Sequence, residues 1–302
     1  MSLAGRAPRI RLSSKRDGEG GGLSSERPIE AGITNLRVEM SYGEYLHLDQ
    51  LLAAQHPLSR PVNHDELLFI IQHQTSELWL KLVLHELLYA RTCLIEDSVG
   101  PALKALSRVK HVQHQLSEQW SVLATLTPTE YAQFRSQLGT SSGFQSWQYR
   151  AVEFVLGNKL AQMVTLFDHD RKAQELLAGL LGEPTLYDEF LRYLARRGYP
   201  IPDAVLGRDV TEPWRLVPDL VGVMSDLYRD PKRDWEAYET CEALVDVEDN
   251  FQLWRFRHLS TVRRTIGDQT GTGGSSGIGF LRAALDLSFF PELYALRSEV
   301  GN

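Results

Sequence analysis

Apolar residues recur every three or four positions through most of the chain, the spacing of one face of an α-helix. Leu67, Ile70, Ile71, Leu78, Leu82 and Leu87 keep that spacing as far as Tyr89. Asn63 or His64 stands where this helix should open, and Asp65 and Glu66 fall in its first turn, where carboxylates suit the helix dipole. The same pattern predicts a helix near 101–125 and another that starts on Thr127-Pro128 as N-cap and first residue and stops at Gly139. Further helices are expected from Trp147 to Leu160, over 231–266, and from Phe280 to Phe289 ahead of Pro291. Helical spacing begins as early as Ser41, whereas Pro184, Pro200, Pro202, Pro213 and Pro218 break the middle of the chain into shorter helices and loops. No stretch alternates cleanly enough for a sheet, and no internal repeat is evident. The expected class is all-α, with one helical domain over 37–302.

Residues 1–36 break the pattern. They are rich in Gly, Ser and Arg, with Gly20-Gly21-Gly22 at the centre, and are expected to form a flexible tail. The first sixteen residues hold five basic and no acidic side chains but no apolar core of a secretory signal. No apolar run approaches the ~20 residues of a membrane span. A net charge of −7 argues against a nucleic-acid surface or an anionic membrane as partner. Cys93 and Cys241 lie far apart with no CxxC, which fits a reducing cytoplasm better than a disulfide framework or a zinc site.

Three pairs at i,i+4 spacing share a helix face: Phe69 with His73, Tyr131 with Arg135, and Trp254 with His258. Each pair alone reads more readily as packing or a solvated charge. Their combination with the loop Gly271-Thr272-Gly273-Gly274-Ser275-Ser276-Gly277 points to chemistry. A neutral imidazole at His258 binds iron through one nitrogen, and a loop dense in backbone N–H groups and hydroxyls suits a small charged ligand. Other motifs fail. His85-Glu86-Leu87-Leu88-Tyr89 lacks the second histidine of HExxH, and His111 and His114 have no acidic third ligand close by. Gly139-Thr140-Ser141-Ser142-Gly143 and Gly273–Gly277 both match GxSxG, yet each follows helical sequence rather than the strand that a nucleophile elbow needs. A metal here would therefore be held by a macrocycle and one protein ligand.

Longer motifs carry a resemblance. They are Ser41-Tyr42-Gly43-Glu44-Tyr45-Leu46, the run from Phe69 through His73 to Trp79, Gln119-Trp120-Ser121, Tyr131-Ala132-Gln133-Phe134-Arg135, Ser141-Ser142-Gly143-Phe144-Gln145, Leu253-Trp254-Arg255-Phe256-Arg257-His258 and the Gly271–Gly277 loop. In this order, over about 37–300, the chain resembles the tryptophan 2,3-dioxygenase family.

The resemblance implies a helical bundle enclosing haem b, with ferrous iron, that opens the indole ring of L-tryptophan with O2 to give N-formyl-L-kynurenine. It implies that His258 is the proximal iron ligand and that His73 lies near the indole N–H. Phe69 and its apolar neighbours would wall the indole, and Ser141 and Ser142 would line the distal side. Arg135, assisted by Tyr131 and the loop at Thr272, would pair with the substrate carboxylate; Thr272 and a haem propionate would meet the ammonium. It also implies an intertwined homotetramer in which Tyr42, Tyr45 and Leu46 cover the neighbouring subunit's pocket. Such a clamp is physically sensible, because a zwitterion entering a dry pocket needs both charges met, and each charge-assisted bond contributes roughly 1.5–3 kcal/mol. Two other activities stay open at this level: insertion of one oxygen into a tryptophan analogue to give an oxindole, and haem-based sensing without turnover. A full amino-acid clamp disfavours the sensor, which has no carboxylate to hold.

Overall fold

The computed structural model describes residues 40–274 and 276–299, and no strand occurs among them. They fall into two units that divide between Ala54 and Gln55. The first carries α1 (Tyr42–Tyr45) and α2 (Leu48–Leu52). Ser41 closes a capping box on α1: its hydroxyl accepts from Glu44 N at 3.2 Å, and the Glu44 carboxylate accepts from Ser41 N at 2.8 Å. The expected tail, 1–36, lies outside the described residues.

The second unit opens with α3 (Glu66–Ile95), α4 (Val99–Glu118), α5 (Trp120–Leu123), α6 (Pro128–Arg135) and α7 (Trp147–Leu156). It continues with α8 (Gln162–Thr165), α9 (Arg171–Gly182), α10 (Leu186–Arg196), α11 (Asp203–Leu206) and α12 (Pro218–Arg229). The last elements are α13 (Trp235–Thr265), α14 (Ile278–Leu285) and α15 (Pro291–Ala295). Long α3 packs against α4, α7 and α10, while α13 packs against α4 and α14. The main core fills between them, with Leu87, Leu106, Phe154, Phe190 and Leu244 sealed from solvent. A second, smaller cluster gathers Trp120, Leu123, Leu126, Tyr131 and Phe134, with Phe69 and Trp254 packed on it. That cluster joins four helices at the place where the candidate residues meet.

The expected helices are present, with boundaries moved by side-chain demands. Thr127 and Glu130 form the capping box of α6, and Gly139, at φ 56°, follows the 3-10 turn that ends it. Helix α3 starts only at Glu66, which is buried rather than solvated. Its carboxylate accepts from Leu58 N at 2.7 Å, Ser59 N at 3.0 Å and Ser59 Oγ at 2.5 Å, tying down the preceding loop. The helix expected over 101–125 is two, joined at Gln119. That amide reaches back to α3, accepting from Thr75 Oγ1 at 3.0 Å and donating to Ser76 Oγ at 2.8 Å. Gly157, at φ 120°, stops α7 before Leu160. Helix α13 begins at Trp235, capped by Asp234, after a 3-10 turn over Pro231–Arg233. Helix α14 ends at Leu285 because Phe289 and Phe290 leave helical register to be fully buried.

One buried ion pair tests the packing. Arg208 Nε and Nη2 donate to the two Asp188 oxygens at 2.6 and 2.9 Å, and Thr185 N and Oγ1 each donate to the same carboxylate at 2.8 Å. Removing the cation strands a buried carboxylate, so Arg208→Met should cost about 3–5 kcal/mol in urea unfolding. Desolvation pushes the Asp188 pKa up, but the Arg208 fork and the Thr185 bonds outweigh it and hold it below 3.8. A carboxylate depressed in the folded state stabilises fully above its unfolded pKa and loses that contribution as pH falls through the folded value. The Arg208→Met penalty should therefore shrink below pH 3.8; a penalty constant down to the acid limit would contradict this account.

Candidate functional site

Helix α13 brings His258 toward the smaller cluster. Its imidazole stacks on Trp120 of α5, with ring centroids 4.7 Å apart and planes 10° from parallel, and Trp254 lies 5.6 Å away one turn earlier. Among the described residues nothing hydrogen-bonds to this imidazole. Desolvation, with a smaller contribution from the nearby His73, lowers its pKa to about 4, so the ring is neutral at pH 7 and offers a lone pair. The indole N–H groups of Trp120 and Trp254 are buried without a hydrogen-bond partner. Among the described residues no three His, Cys, Asp or Glu side chains gather to hold a bare ion. A neutral imidazole stacked on one indole and beside a second, with unpartnered N–H donors close by, suits a planar macrocycle that brings its own iron ligands.

On α3, His73 sits one turn below Phe69. Its Nδ1 is 2.7 Å from the Phe69 carbonyl oxygen. A carbonyl only accepts, so Nδ1 carries the proton and Nε2 is left as an acceptor. Desolvation lowers the His73 pKa against the opposing effects of that bond and of the Glu77 charge. The Phe69 ring packs 5.9 Å from Tyr131 and 5.6 Å from Phe134, both on α6. Tyr131 is buried, and desolvation raises its phenol pKa while the nearby Arg135 opposes the rise. The two i,i+4 pairs on α3 and α6 are thus one aromatic surface.

Two loops close beside it. Arg135 donates to the Gln269 side-chain oxygen and, through Nη2 at 2.6 Å, to the Thr270 carbonyl. Thr272 Oγ1 donates to the Ser141 carbonyl. Gly273 lies so close to the serine loop that a Cβ there would stand 2.7 Å from Ser142 Cβ and 2.9 Å from its Oγ. Gly277, at φ 58°, turns the chain into α14 where a Cβ would meet the Gln269 carbonyl at 2.8 Å. Gly273 therefore lets one loop lie on the other, and Gly277 lets the second loop fold back on itself. A Gly273→Ala chain should separate the two loops and weaken ligand binding; unchanged affinity in that variant would show that the close contact is dispensable.

The structure brings together Phe69, His73, Tyr131, Arg135, Ser141, Ser142, Thr272 and His258. Tyr42 and Tyr45 belong to the first unit, where they are 76% and 70% exposed with Leu46 capping α1 behind them. The rejected motifs stay rejected. Glu86 is buried against Arg108 at 2.6 Å, His111 and His114 are exposed, and helical elements rather than strands precede both GxSxG segments. Sequence reasoning gave no role to Trp120, the ring stacked on His258, nor to Gln269, the partner of Arg135. Trp120 stood inside a quoted motif, but nothing in its spacing tied it to a helix 138 residues away.

Most of the chain has close counterparts. The family model of tryptophan 2,3-dioxygenase matches residues 29–180 and 220–300. A tryptophan 2,3-dioxygenase of Kineococcus radiotolerans is 64% identical over 277 residues, 91% of this chain and 97% of the relative. Those of Saccharopolyspora erythraea and Serratia proteamaculans are 62% and 54% identical, over 91% and 92% of this chain and 99% of each relative. The chain belongs to the tryptophan 2,3-dioxygenase family.

Proposed function

We propose that this protein cleaves the indole C2–C3 bond of L-tryptophan with O2, forming N-formyl-L-kynurenine at a haem b that His258 holds. The observation that carries this reading is a neutral, unbonded imidazole at His258 close to a two-loop clamp centred on Arg135. When bound, the haem supplies the activation of O2 that places both oxygen atoms in the product. His258 would furnish the iron-ligating nitrogen, with Trp120 and Trp254 offering apolar ring faces and N–H donors beside it.

The rest of the work belongs to the chain's own groups. Arg135 exchanges its neutral acceptors on the Gln269–Thr270 segment for the substrate carboxylate, a stronger partner for a guanidinium fork. Thr272 and the N–H groups of its loop meet the amino-acid end. Phe69 and Tyr131 wall the indole and keep water out. Ser141 and Ser142 would line the substrate's side of the pocket. His73, fixed by the Phe69 carbonyl, presents Nε2 as acceptor to the indole N–H. It orients the ring; it is not assigned as an obligatory base. His73→Ala should keep haem and most tryptophan binding yet slow turnover roughly five- to tenfold, the equivalent of about 1–1.5 kcal/mol for one hydrogen bond. Turnover equal to the parent's would make His73 a packing residue.

The same reading includes a homotetramer whose N-terminal segment, Tyr42, Tyr45 and Leu46, covers the neighbouring pocket. Its support is the exposure of those residues and a row of exposed apolar side chains on α3: Leu67, Ile71, Leu78 and Tyr89. Mixed assemblies of Tyr42→Ala and Arg135→Ala chains should regain part of the activity that each lacks alone. A fully active monomer, or verified mixed assemblies without recovery, would remove this arrangement. No helix among the described residues is long and apolar enough to cross a membrane, and Cys93 and Cys241 are buried and unbridged, which supports a cytoplasmic location. L-tryptophan added to the ferrous haem protein should shift its absorption; a haem protein blind to L-tryptophan would contradict the clamp.

A further inference from the structure

Behind the two clamp loops lies a buried ion triad that none of the roles above uses. Glu153 of α7 accepts from Arg150 Nη1 at 2.6 Å and from Arg255 Nη2 at 2.8 Å, and all three residues are at least nine-tenths buried. Arg255 also donates to Tyr149 Oη at 3.2 Å and, through Nη1, to the carbonyls of Ala284 at 2.9 Å and Leu287 at 3.3 Å. Those carbonyls close the C-terminal end of α14, and α14 begins directly after the Gly271–Gly277 loop. Arg150, on α7, packs against the other loop: its guanidinium sits 4.6 Å from the centre of the Phe144 ring. Phe144 in turn meets Phe280 of α14 edge-on at 5.3 Å. One carboxylate thus joins, through two arginines, the loop that carries Ser141 and Ser142 to the helix that follows Thr272.

We propose that Arg150, Glu153 and Arg255 are positioning residues that set the register of the two clamp loops against each other. The proposal rests on the functional reading above and deepens it, because the loops it holds are those that receive the amino-acid end of the substrate. Stability alone is a poor reason for such a group. Three charges removed from water repay little of their desolvation, and apolar residues of similar volume often fold as well or better. What an apolar filling does not reproduce is direction. The guanidinium of Arg255 fixes a carboxylate, a phenol and two carbonyls at once, and a loop displaced by about 1 Å can lower the rate up to about 100-fold.

The test uses the full haem protein and two variants. Arg150→Met/Glu153→Leu/Arg255→Met removes every charge of the triad together, so no ion is left unpaired. Arg255→Lys keeps the charge and loses the fork. Haem content and absorption, L-tryptophan titration of the absorption shift, and KM and kcat are measured for each. We expect haem content and spectrum like the parent's, at least a tenfold rise in KM and in the concentration for half-shift, and a smaller change in kcat, on the order expected for a misplaced clamp. Lysine should recover only part of the loss. Variants that match the parent in KM and half-shift overturn the proposal, as does failure of both to fold, which would make the triad a stability element. A parent that shows no tryptophan shift removes the functional reading and this proposal with it. A normal parent beside normal variants removes the proposal alone.

Discussion

His258→Ala is expected to lose haem. The imidazole is neutral, has no hydrogen-bond partner among the described residues and lies against two indole rings, and no other described histidine has such surroundings. His73 spends Nδ1 on the Phe69 carbonyl, while His111 and His114 are exposed on α4. Loss of an outer-shell partner of a metal ligand commonly costs 10- to 100-fold in affinity, and loss of the ligand itself should exceed that. Haem content after purification, with the absorption of the ferrous protein, reads the outcome. Full occupancy with an unchanged spectrum would remove His258 from the proximal position. Trp120→Phe keeps an aromatic ring but drops the N–H, so its fold should persist and its haem should bind more weakly.

The second large effect is expected at Arg135. Two charge-assisted bonds to a carboxylate contribute about 3 kcal/mol together, equivalent to about a 100-fold rise in KM for Arg135→Ala. Arg135→Lys should recover only part of this, because an ammonium cannot present a planar fork. The structure supplies a competing explanation, since Arg135 also holds the Gln269–Thr270 segment. Substrate analogues separate the two. An indole compound without a carboxylate should be a poor substrate for the parent and lose little more in the variant. An equal penalty on both substrates would assign Arg135 to loop structure only.

Where the chain is regular, its periodicity suffices to read it. The apolar rows of α3 and α13 mark long helices, and Thr127-Pro128 marks the start of α6, because local sequence determines spacing and caps. The ends moved where a side chain found a distant partner. Glu66, in the first turn of α3, is buried to hold Leu58 and Ser59, and Phe289 and Phe290 left α14 for the core. The site behaves alike. His73 with Phe69 and Arg135 with Tyr131 are visible as pairs because each shares one helix face. Trp120 on His258, Gln269 on Arg135 and the Arg150–Glu153–Arg255 triad are contacts between elements far apart in sequence, with no local signal. Motif resemblance could point to His258; only three-dimensional packing could show which ring lies on it.

The measurement that tests the central claim most directly is the isotopic mass of the product. The ferrous haem protein is supplied with L-tryptophan and isotopically heavy O2 in ordinary water, and the product is analysed at once. Dioxygenation at the site predicts N-formyl-L-kynurenine carrying both heavy oxygen atoms. An oxindole carrying one, or a product carrying no heavy oxygen, would contradict it.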